Sequence, residues 1–402
     1  MNRKTFLLLS RYLFLVSLLL VESAFAGSIF SRRGIGLLRY RDNVRAIGMG
    51  GVGMAMSDSI SFYFLNPASL TRINLSRIQG DFRYERASVD LSRHVTGLFS
   101  DASVNSLGLA IPIKAGHVMT FGVRPYSFSD FEFAQNQTDS SYSESLRGTG
   151  GLSELYLGFA ADLGAVRAGV TADFYFGRLN RIWRLNYVSG ELRNSEDVRN
   201  RHFTGVGLHL GLQAQHGKWQ LGTAAGLPAR LNVKTELTTL GGFSGVIDKS
   251  KLRLPFWFGA GLGYAPNRHW LFGADYRTQR WSAVDPDEFF GDRGVDSHDI
   301  NFGSEVIPSL DALDGYFKRI SYRLGGAYRQ LPYEEPAGKK VRELTVNLGL
   351  GLPFGRGYNR IDLALEIGKR GSLSSNLVKE NIVMIHAAIV GSERWFQRSK
   401  RR

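Results

Sequence analysis

Polar and apolar side chains alternate over long stretches of the chain from residue 78 onward. In the stretch 342–352 every second residue is apolar, and the residues between them are polar or glycine. The apolar members are Leu344, Val346, Leu348, Leu350 and Leu352. The stretch 360–368 repeats the pattern, and the connection PFGRGYN is rich in residues that favour turns. A period of two predicts a β-hairpin with one apolar face and one polar face.

The same unit recurs along the chain and predicts an even number of strands. The fourteen expected strands are 78–91, 103–113, 117–126, 152–163, 165–188, 202–214, 219–238, 254–264, 269–278, 297–307, 319–329, 342–352, 359–368 and 382–391. Short turns and long polar connections alternate between them. The predicted long connections are 127–151, 190–201, 239–253 and 279–296, and the connection 308–318 is longer than the other short turns.

Two architectures have strands in which polar and apolar residues alternate, and strand length and aromatic content distinguish them. A soluble β-sandwich uses shorter strands, and its polar face meets water. A transmembrane barrel needs strands of about 9–11 residues, aromatic girdles, short turns at one end and long loops at the other. The chain has these features. Because hydrocarbon offers no partner to backbone N–H and C=O groups, we predict an all-β fold, a closed transmembrane antiparallel β-barrel of about 14 strands.

The first 26 residues have the composition of a secretory signal peptide. A basic N-terminus precedes an apolar run, and Ala24-Phe25-Ala26 is a small-x-small cleavage sequence. The alternative is an uncleaved membrane anchor, but Arg11 interrupts the apolar run too early for a good spanning helix. We expect residues 1–26 to be a signal peptide that is cleaved after Ala26.

Composition narrows the chemistry further. The chain has no cysteine, which excludes disulfides, thiolate metal sites and cysteine nucleophiles. Its formal net charge is +14. For an exported protein, the anionic partner that a basic surface favours is a lipid headgroup rather than a nucleic acid. We predict outer-membrane lipid as a partner and no nucleic-acid binding.

The glycines Gly48, Gly50 and Gly53 have the spacing of a dinucleotide-binding turn. That motif requires a buried strand before the glycines and a helix within a βαβ unit after them. Here the preceding residues, RYRDNVRAI, are rich in charge, and no βαβ pattern follows. We therefore expect no cofactor, and we expect these glycines to allow close backbone packing in a confined space.

The segment 45–73, RAIGMGGVGMAMSDSISFYFLNPASLTRI, resembles the N-terminal signature of the FadL-like outer-membrane barrels, which include transporters of long-chain fatty acids and aromatic hydrocarbons. The residues that fit are Arg45, Ala46, Gly48, Met49, Gly50, Gly51, Asp58, Asn66, Pro67, Ala68 and Leu70. The run FGVRPYS (121–127) is also similar to family members. The C-terminal part from Tyr322 through NLVKE (376–380) to Trp395-Phe396 looks like an uncharacterised branch of this superfamily.

The resemblance implies a fourteen-stranded barrel in the outer membrane of a Gram-negative-type bacterium, with both termini periplasmic. Its N-terminal segment, residues 27–77, is expected to plug the lumen. The barrel itself is expected to comprise 78–396, followed by a basic periplasmic tail at 397–402. In the characterised transporters of this family a ligand path runs past the plug.

Charged side chains at lumen-facing positions raise the question of catalysis. The acidic ones are Glu154, Asp162, Asp275, Asp362 and Glu366, and they can face Arg277, Arg323 and Arg360. An ion-pair network that fills the lumen is the simplest interpretation, with catalytic carboxylates as the alternative. The eight histidines lie mostly in or near turns without metal-ligand spacing, and no G-x-S-x-G motif occurs. We predict no metal site, no catalytic residues and no enzyme activity.

The cluster Phe62, Phe64 and Leu65 precedes Asn66-Pro67 in the predicted plug. One interpretation is packing of the plug against the barrel wall. The functional interpretation is an apolar surface for a hydrophobic ligand, with Asn66-Pro67 as a stiff turn that opens. These five residues are the predicted ligand-passage positions.

Two functions therefore stand side by side. The first is passive uptake of a hydrophobic small molecule, either fatty-acid-like or an aromatic hydrocarbon. The alternative is a non-transporting barrel that acts as an accessory in protein secretion or membrane assembly, with a periplasmic or secretion-system protein as partner. Transport predicts a continuous apolar path through the barrel, and the accessory function predicts a sealed lumen.

Overall fold

Fourteen antiparallel strands pair in sequence order and close into a barrel in the computed structural model of the protein. The structure describes residues 27–39, 43–91, 96–136, 142–187, 193–336 and 338–393. The first seven strands are β1 (Ser76–Leu91), β2 (Thr96–Lys114), β3 (His117–Pro125, continued by Ser127–Asn136), β4 (Tyr142–Asp162), β5 (Val166–Tyr187), β6 (Ser195–His216) and β7 (Trp219–Gly226, continued by Ala229–Thr239). The other seven are β8 (Ser244–Leu254, continued by Trp257–Tyr264), β9 (Trp270–Gln279), β10 (Ser297–Val306), β11 (Ser321–Glu334), β12 (Lys340–Phe354), β13 (Asn359–Ser372) and β14 (Val378–Glu393).

The last strand closes the sheet by pairing with the first. The register of β14 on β1 runs from Val378 opposite Leu91 to Glu393 opposite Ser76. The predicted fourteen-stranded antiparallel barrel is therefore confirmed. The predicted signal peptide 1–26 and the predicted tail 397–402 lie outside the described residues.

Helical segments are short and lie outside the barrel strands. They are Ile29–Arg32, Val44–Gly48, Pro67–Arg72, Trp281–Ala283, Tyr316–Arg319, Gly355–Gly357 and Leu373–Asn376, and a two-residue strand, Leu37–Leu38, pairs with the second part of β3. Within the residues that the structure describes, no helix is both long and apolar enough to cross a membrane.

The alternating apolar and polar residues of the sequence form the outer and inner faces of the barrel wall. On β12, Leu344 and Leu348 point outward with 62% and 50% of their surface exposed. Their neighbours Thr345 and Asn347 point inward and are buried. An apolar outer face and a polar inner face are what a barrel in hydrocarbon requires.

The two ends of the barrel differ in their connections. We call one the turn end; its connections are 115–116, 163–165, 217–218, 265–269, 307–320 and 355–358. The opposite end is the loop end, which carries the connections 240–243, 280–296 and 373–377. Trp219, Tyr264 and Trp270 form an aromatic group next to the turn end, and the rings of Trp219 and Tyr264 lie 4.5 Å apart.

Three of the four predicted long loops are largely strand, so that part of the prediction is wrong. Residues 127–136 and 142–151, 195–201 and 244–253 continue the sheet at the loop end, whereas 280–296 is a loop with one helical turn. Apolar alternation ends where a strand leaves hydrocarbon, because polar side chains suit both faces there. Backbone pairing continues beyond that point, so these extensions lack the signal that the prediction used.

Face assignment yields a direct test. Leu348→Arg puts a charge at the middle of the outward apolar face of β12 and should cost about 2–4 kcal/mol of folding free energy in a bilayer. The control is Asn232→Arg, an exposed outward position of β7 near the loop end. We expect heat-modifiable mobility to show impaired folding into vesicles for Leu348→Arg only. Equal folding of the two variants would contradict the assignment.

Candidate functional site

The N-terminal segment, residues 27–39 and 43–75, contacts inward-facing side chains of strands around the barrel. Near the loop end, the amide of Ser28 donates to the carbonyl of Asp130 on β3. The other part lies nearer the turn end, where the helix Val44–Gly48 packs against Ala364 of β13 and Ala388 of β14. The sequence forms this helix because the side chain of Asn43 caps it by accepting from the amide of Ala46.

Glycines allow this segment to approach the wall closely. A Cβ atom on Gly303 of β10 would lie 2.1 Å from the carbonyl oxygen of Met49, so no larger residue fits there. Within the segment, Gly50 has φ +73°, a conformation that favours glycine. The spacing of Gly48, Gly50 and Gly53 thus belongs to close packing, as predicted.

Six alternating charges join the segment to the wall, and we call them the charge ring. They are Arg45 and Asp58 of the segment, Glu305 of β10, Arg323 of β11, and Arg360 and Asp362 of β13. Arg45 grips Glu305 with two hydrogen bonds, Nε to Oε2 at 3.0 Å and Nη2 to Oε1 at 2.6 Å. Planar, bidentate pairing of this kind is the strongest geometry available to an arginine and a carboxylate.

The remaining links close the ring. Arg323 donates from Nε to Glu305 at 2.6 Å and from Nη1 to Asp362 at 2.7 Å. Arg360 donates from Nε to Asp362 at 2.9 Å and lies 3.3 Å from Asp58, which also pairs with Arg45. Three arginines and three carboxylates leave no net charge within the ring, and such pairing is the condition for burying charges at tolerable cost.

Asp58 belongs to the N-terminal segment and not to a membrane-spanning strand. Its contacts in the charge ring determine the pKa of its carboxyl group. Burial by itself raises the pKa of the carboxyl, but the guanidinium groups of Arg45 and Arg360 lower the pKa below its ordinary value. The ionised form is therefore favoured at neutral pH. Its contribution to stability is lost as the pH falls through this lowered pKa.

A second network holds the start of the segment near the loop end. The hydroxyl of Ser28 lies 2.8 Å from both carboxylate oxygens of Glu380, and the amide of Ile29 donates to the same side chain at 2.8 Å. Arg370 connects Glu380 to Glu343 at 2.8 and 2.6 Å. Residues 28–29 are therefore bound to β14 and, through it, to β12 and β13.

Most of the predicted lumen charges take part in such contacts. Glu154 pairs with Arg124, Glu366 with Arg329, and Arg277 with Asp299. Asp275 instead accepts hydrogen bonds from the amides of Gly53 and Met54 at 2.6 and 2.8 Å. Asp162 does not join them, because it lies exposed beside the turn at Gly164.

Sequence reasoning missed Glu305, the residue on which Arg45 and Arg323 converge. Continuing the alternation of β10 through Asn301 and Gly303 would have placed Glu305 on the inner face. Arg45 and Asp58 were recognised as signature residues, but their pairing needed the fold. Among the described residues, no group of three or more histidines or carboxylates is arranged to hold a metal ion.

The predicted aromatic positions pack against the wall. Phe62 is fully buried in a cluster with Leu70 and Ile73 of the segment and with wall residues of β2, β3 and β4. Phe64 makes an edge-to-face contact with Tyr156 at 5.7 Å, and the guanidinium of Arg124 lies 5.1 Å from the ring of Phe64. In this arrangement both rings act as packing groups.

The side chain of Asn66 hydrogen-bonds both to the N-terminal segment and to the wall. Its side-chain amide donates to the carbonyls of Met54 at 2.7 Å and of Leu212 on β6 at 3.0 Å, and its oxygen accepts from the amide of Ala68. Pro67 then begins the helical turn Pro67–Arg72. Leu65 is buried and borders a cavity of about 40 Å³. Whether these five predicted positions pass a ligand stays a prediction.

Two cavities between the N-terminal segment and the inner wall are small. One of about 70 Å³ lies between Leu38, Ile47 and His386, and the one beside Leu65 has about 40 Å³. A larger cleft of about 710 Å³ lies at the turn end, where polar groups including Arg77 and Lys114 line it. Pockets for drug-sized ligands have roughly 300–1,000 Å³ and mostly apolar walls. The two inner cavities are below this range.

Fold and interior define the class of protein: a membrane β-barrel of the outer-membrane type whose N-terminal segment is bound to its inner wall. Solved structures of other barrels share the fold, among them the following three. A Pseudomonas aeruginosa FadL homologue has a TM-score of 0.62 at 12% identity and covers 88% of this chain and 99% of its own. The Pseudomonas putida toluene transporter TodX has 0.61 at 16%, covering 90% and 98%. The monoaromatic hydrocarbon channel CymD has 0.60 at 15%, covering 92% and 100%.

The resemblance to FadL-like barrels is thereby confirmed at the level of the fold. The sequence matches the BamG family over residues 1–401, and the chain belongs to that family. A comparison with curated proteins found no match.

The charge ring predicts the effect of removing one member. Arg45→Met leaves the buried Glu305 and the partly buried Asp58 with fewer partners and should lower the free energy of unfolding by about 3–5 kcal/mol. Arg72→Met is the matched control, because Arg72 belongs to the same segment but is exposed, and it should change stability by about 0.5 kcal/mol or less. Denaturant titration in detergent measures both.

The double variant Arg45→Met with Glu305→Gln should recover part of the loss, since it also removes one of the buried carboxylates. Equal effects of Arg45→Met and Arg72→Met would contradict the role given to the ring.

Proposed function

We propose that this protein is a sealed outer-membrane barrel that acts as an accessory in protein secretion or membrane assembly. The observation that carries the proposal is the way the N-terminal segment is held. The charge ring, the Ser28–Glu380 contacts and the close approach at Gly303 fix it to many strands. A segment bonded in this way acts as a permanent plug.

Cavity size supports a sealed lumen. The inner cavities beside Leu38 and Leu65 have about 70 and 40 Å³, room for a few water molecules and not for a fatty acid. The large cleft at the turn end has a polar and basic lining, which suits a polar partner better than a hydrocarbon. None of these features calls for catalysis, and we propose no enzyme activity.

Orientation follows from the connections. Outer-membrane barrels have short turns on the periplasmic side and longer loops outside. On this basis the turn end faces the periplasm and the loop end faces the exterior. Both ends of the barrel sequence, Ser76 and Glu393, lie at the turn end and therefore on the periplasmic side.

The connection 307–320 offers a surface for a periplasmic partner. It is longer than the other turns at its end, and Leu313 and Phe317 expose 93% and 77% of their surface there. Leu310 and Tyr316 add further exposed apolar surface. Apolar groups gathered on one exposed element are typical of protein interaction sites. We propose this connection as the docking surface.

Passive uptake of a hydrophobic molecule is the second candidate, and two observations favour it. The fold is shared with hydrocarbon channels. In addition, an apolar cluster that includes Tyr175, Phe203 and Trp281 lies inside the barrel toward the loop end. Uptake would require the N-terminal segment to move, which breaks the contacts that hold it.

Planar bilayers test the plug. The intact protein should give no conductance steps, whereas deletion of residues 48–70 should open a pore, because this part fills the lumen near the turn end. Heat-modifiable mobility checks that the deletion variant is folded. A folded but non-conducting variant would contradict the plug. Conductance by the intact protein, or binding of a long-chain amphiphile that Phe62→Ala with Phe64→Ala abolishes, would favour uptake.

Photo-crosslinking in cells tests the docking surface. A benzophenone amino acid at Phe317 should give a discrete protein adduct, because this side chain is exposed at the proposed periplasmic surface. The control is Phe302, which is 60% exposed on the outward face of β10 and should meet lipid. Protein adducts at neither position, or at both equally, would contradict the accessory function.

A further inference from the structure

A row of basic side chains crosses four neighbouring strands on the outer face near the loop end. Arg178 of β5 lies opposite His202 of β6, His202 lies opposite Lys234 of β7, and Lys234 lies opposite Lys249 of β8. Neighbouring strands are about 4.8 Å apart, so the row spans about 14 Å. Four potentially cationic groups thus stand side by side on a continuous sheet.

Further basic residues lie one and two pairs closer to the turn end. Lys251 lies opposite Asn232, and Arg253 lies opposite Arg230. We call six of these residues the basic patch: Arg178, Arg230, Lys234, Lys249, Lys251 and Arg253. They all belong to the same outward face of β5, β7 and β8.

Few carboxylates neutralise the basic patch. Glu236 pairs with Lys234 at 2.7 Å, and Glu288 lies 3.8 Å from Arg253. Among the described residues, no carboxylate lies within ion-pair distance of the other four patch members. The local excess of positive charge is therefore uncompensated by the protein.

The β5 member of the basic patch, Arg178, lies directly beyond the apolar band. On β5 the outward residues run from Val166 to Phe176 without a charge, and Phe174 and Phe176 are 45% and 38% exposed. Ten residues at about 3.3 Å each, in a strand tilted by about 40°, rise roughly 25 Å, the height of the hydrocarbon band of such barrels. The next outward residue is Arg178, which places this member of the patch at headgroup level.

We propose that the basic patch binds the phosphate groups of a phosphorylated glycolipid, the lipid A of the outer leaflet. Arginine and lysine at the membrane surface recognise anionic headgroups, and arginine grips phosphate with two hydrogen bonds. The apolar surface immediately below receives the acyl chains of the same molecule, which a peripheral protein partner would not use. The inference rests on the proposed orientation and not on the accessory function.

Lipid retention tests this site. The patch variant carries Arg178→Gln, Arg230→Gln, Lys249→Gln and Lys251→Gln, and it removes only unpaired charges. The control variant removes four exposed charges elsewhere, with Lys218→Gln, Arg268→Gln, Arg342→Gln and Lys369→Gln. Native mass spectrometry then counts lipid bound to the full-length protein in mild detergent with added bis-phosphorylated lipid A, its dephosphorylated form or phosphatidylglycerol.

We expect the patch variant to bind bis-phosphorylated lipid A at least about tenfold more weakly than the unaltered protein, with the control variant unchanged. The unaltered protein should prefer this lipid over both others. Equal loss in the two variants would show that only net charge matters and would overturn the proposal. Equal binding of phosphatidylglycerol or of the dephosphorylated lipid would also overturn it.

Discussion

The structure depends on one constraint: inside a bilayer every backbone N–H and C=O must pair within the protein. A sheet satisfies it only by closing on itself, and β14 meets β1 for this reason. Closure then forces alternate side chains into lipid or into the lumen. The outer positions become apolar, as at Leu348, and polar side chains such as Asn347 are brought together inside. The polar and charged interior therefore follows from the alternation of side chains along the strands of a closed barrel.

The lumen of this barrel contains many buried charges. Isolated charges would be costly away from water, so each arginine of the charge ring touches two carboxylates. Two of the six charges come from the N-terminal segment, Arg45 and Asp58. Each set is neutral by itself, but Arg45 and Asp58 need Glu305 and Arg360 of the wall as further ion-pair partners, so the ring closes only when both sets are in place. On our account this mutual dependence makes the segment a permanent part of the barrel rather than a gate.

Most of the barrel could be predicted from the alternation of apolar and polar residues, because a strand with one face in hydrocarbon needs an apolar side chain at every second position. The alternation alone assigns Leu344 and Asn347 to opposite faces of β12. The strand extensions within 127–151 and 239–253 could not, since the apolar signal stops where both faces meet water. Most of the acidic and basic lumen residues were identifiable from their face, with Asp162 at a strand end as the exception, yet their partners were not. Asn66 looked like a turn residue, and only the fold shows its amide bonded to β6.

On our account the lumen holds the N-terminal segment and no hydrophobic ligand. An experimental structure of the protein in the presence of a long-chain fatty acid at saturating concentration tests this most directly. We predict unchanged contacts of Arg45 with Glu305 and of Asn66 with Met54, and no fatty-acid density between the segment and the wall. Fatty-acid density beside Phe62 or Leu65, with the segment displaced from the charge ring, would contradict the account.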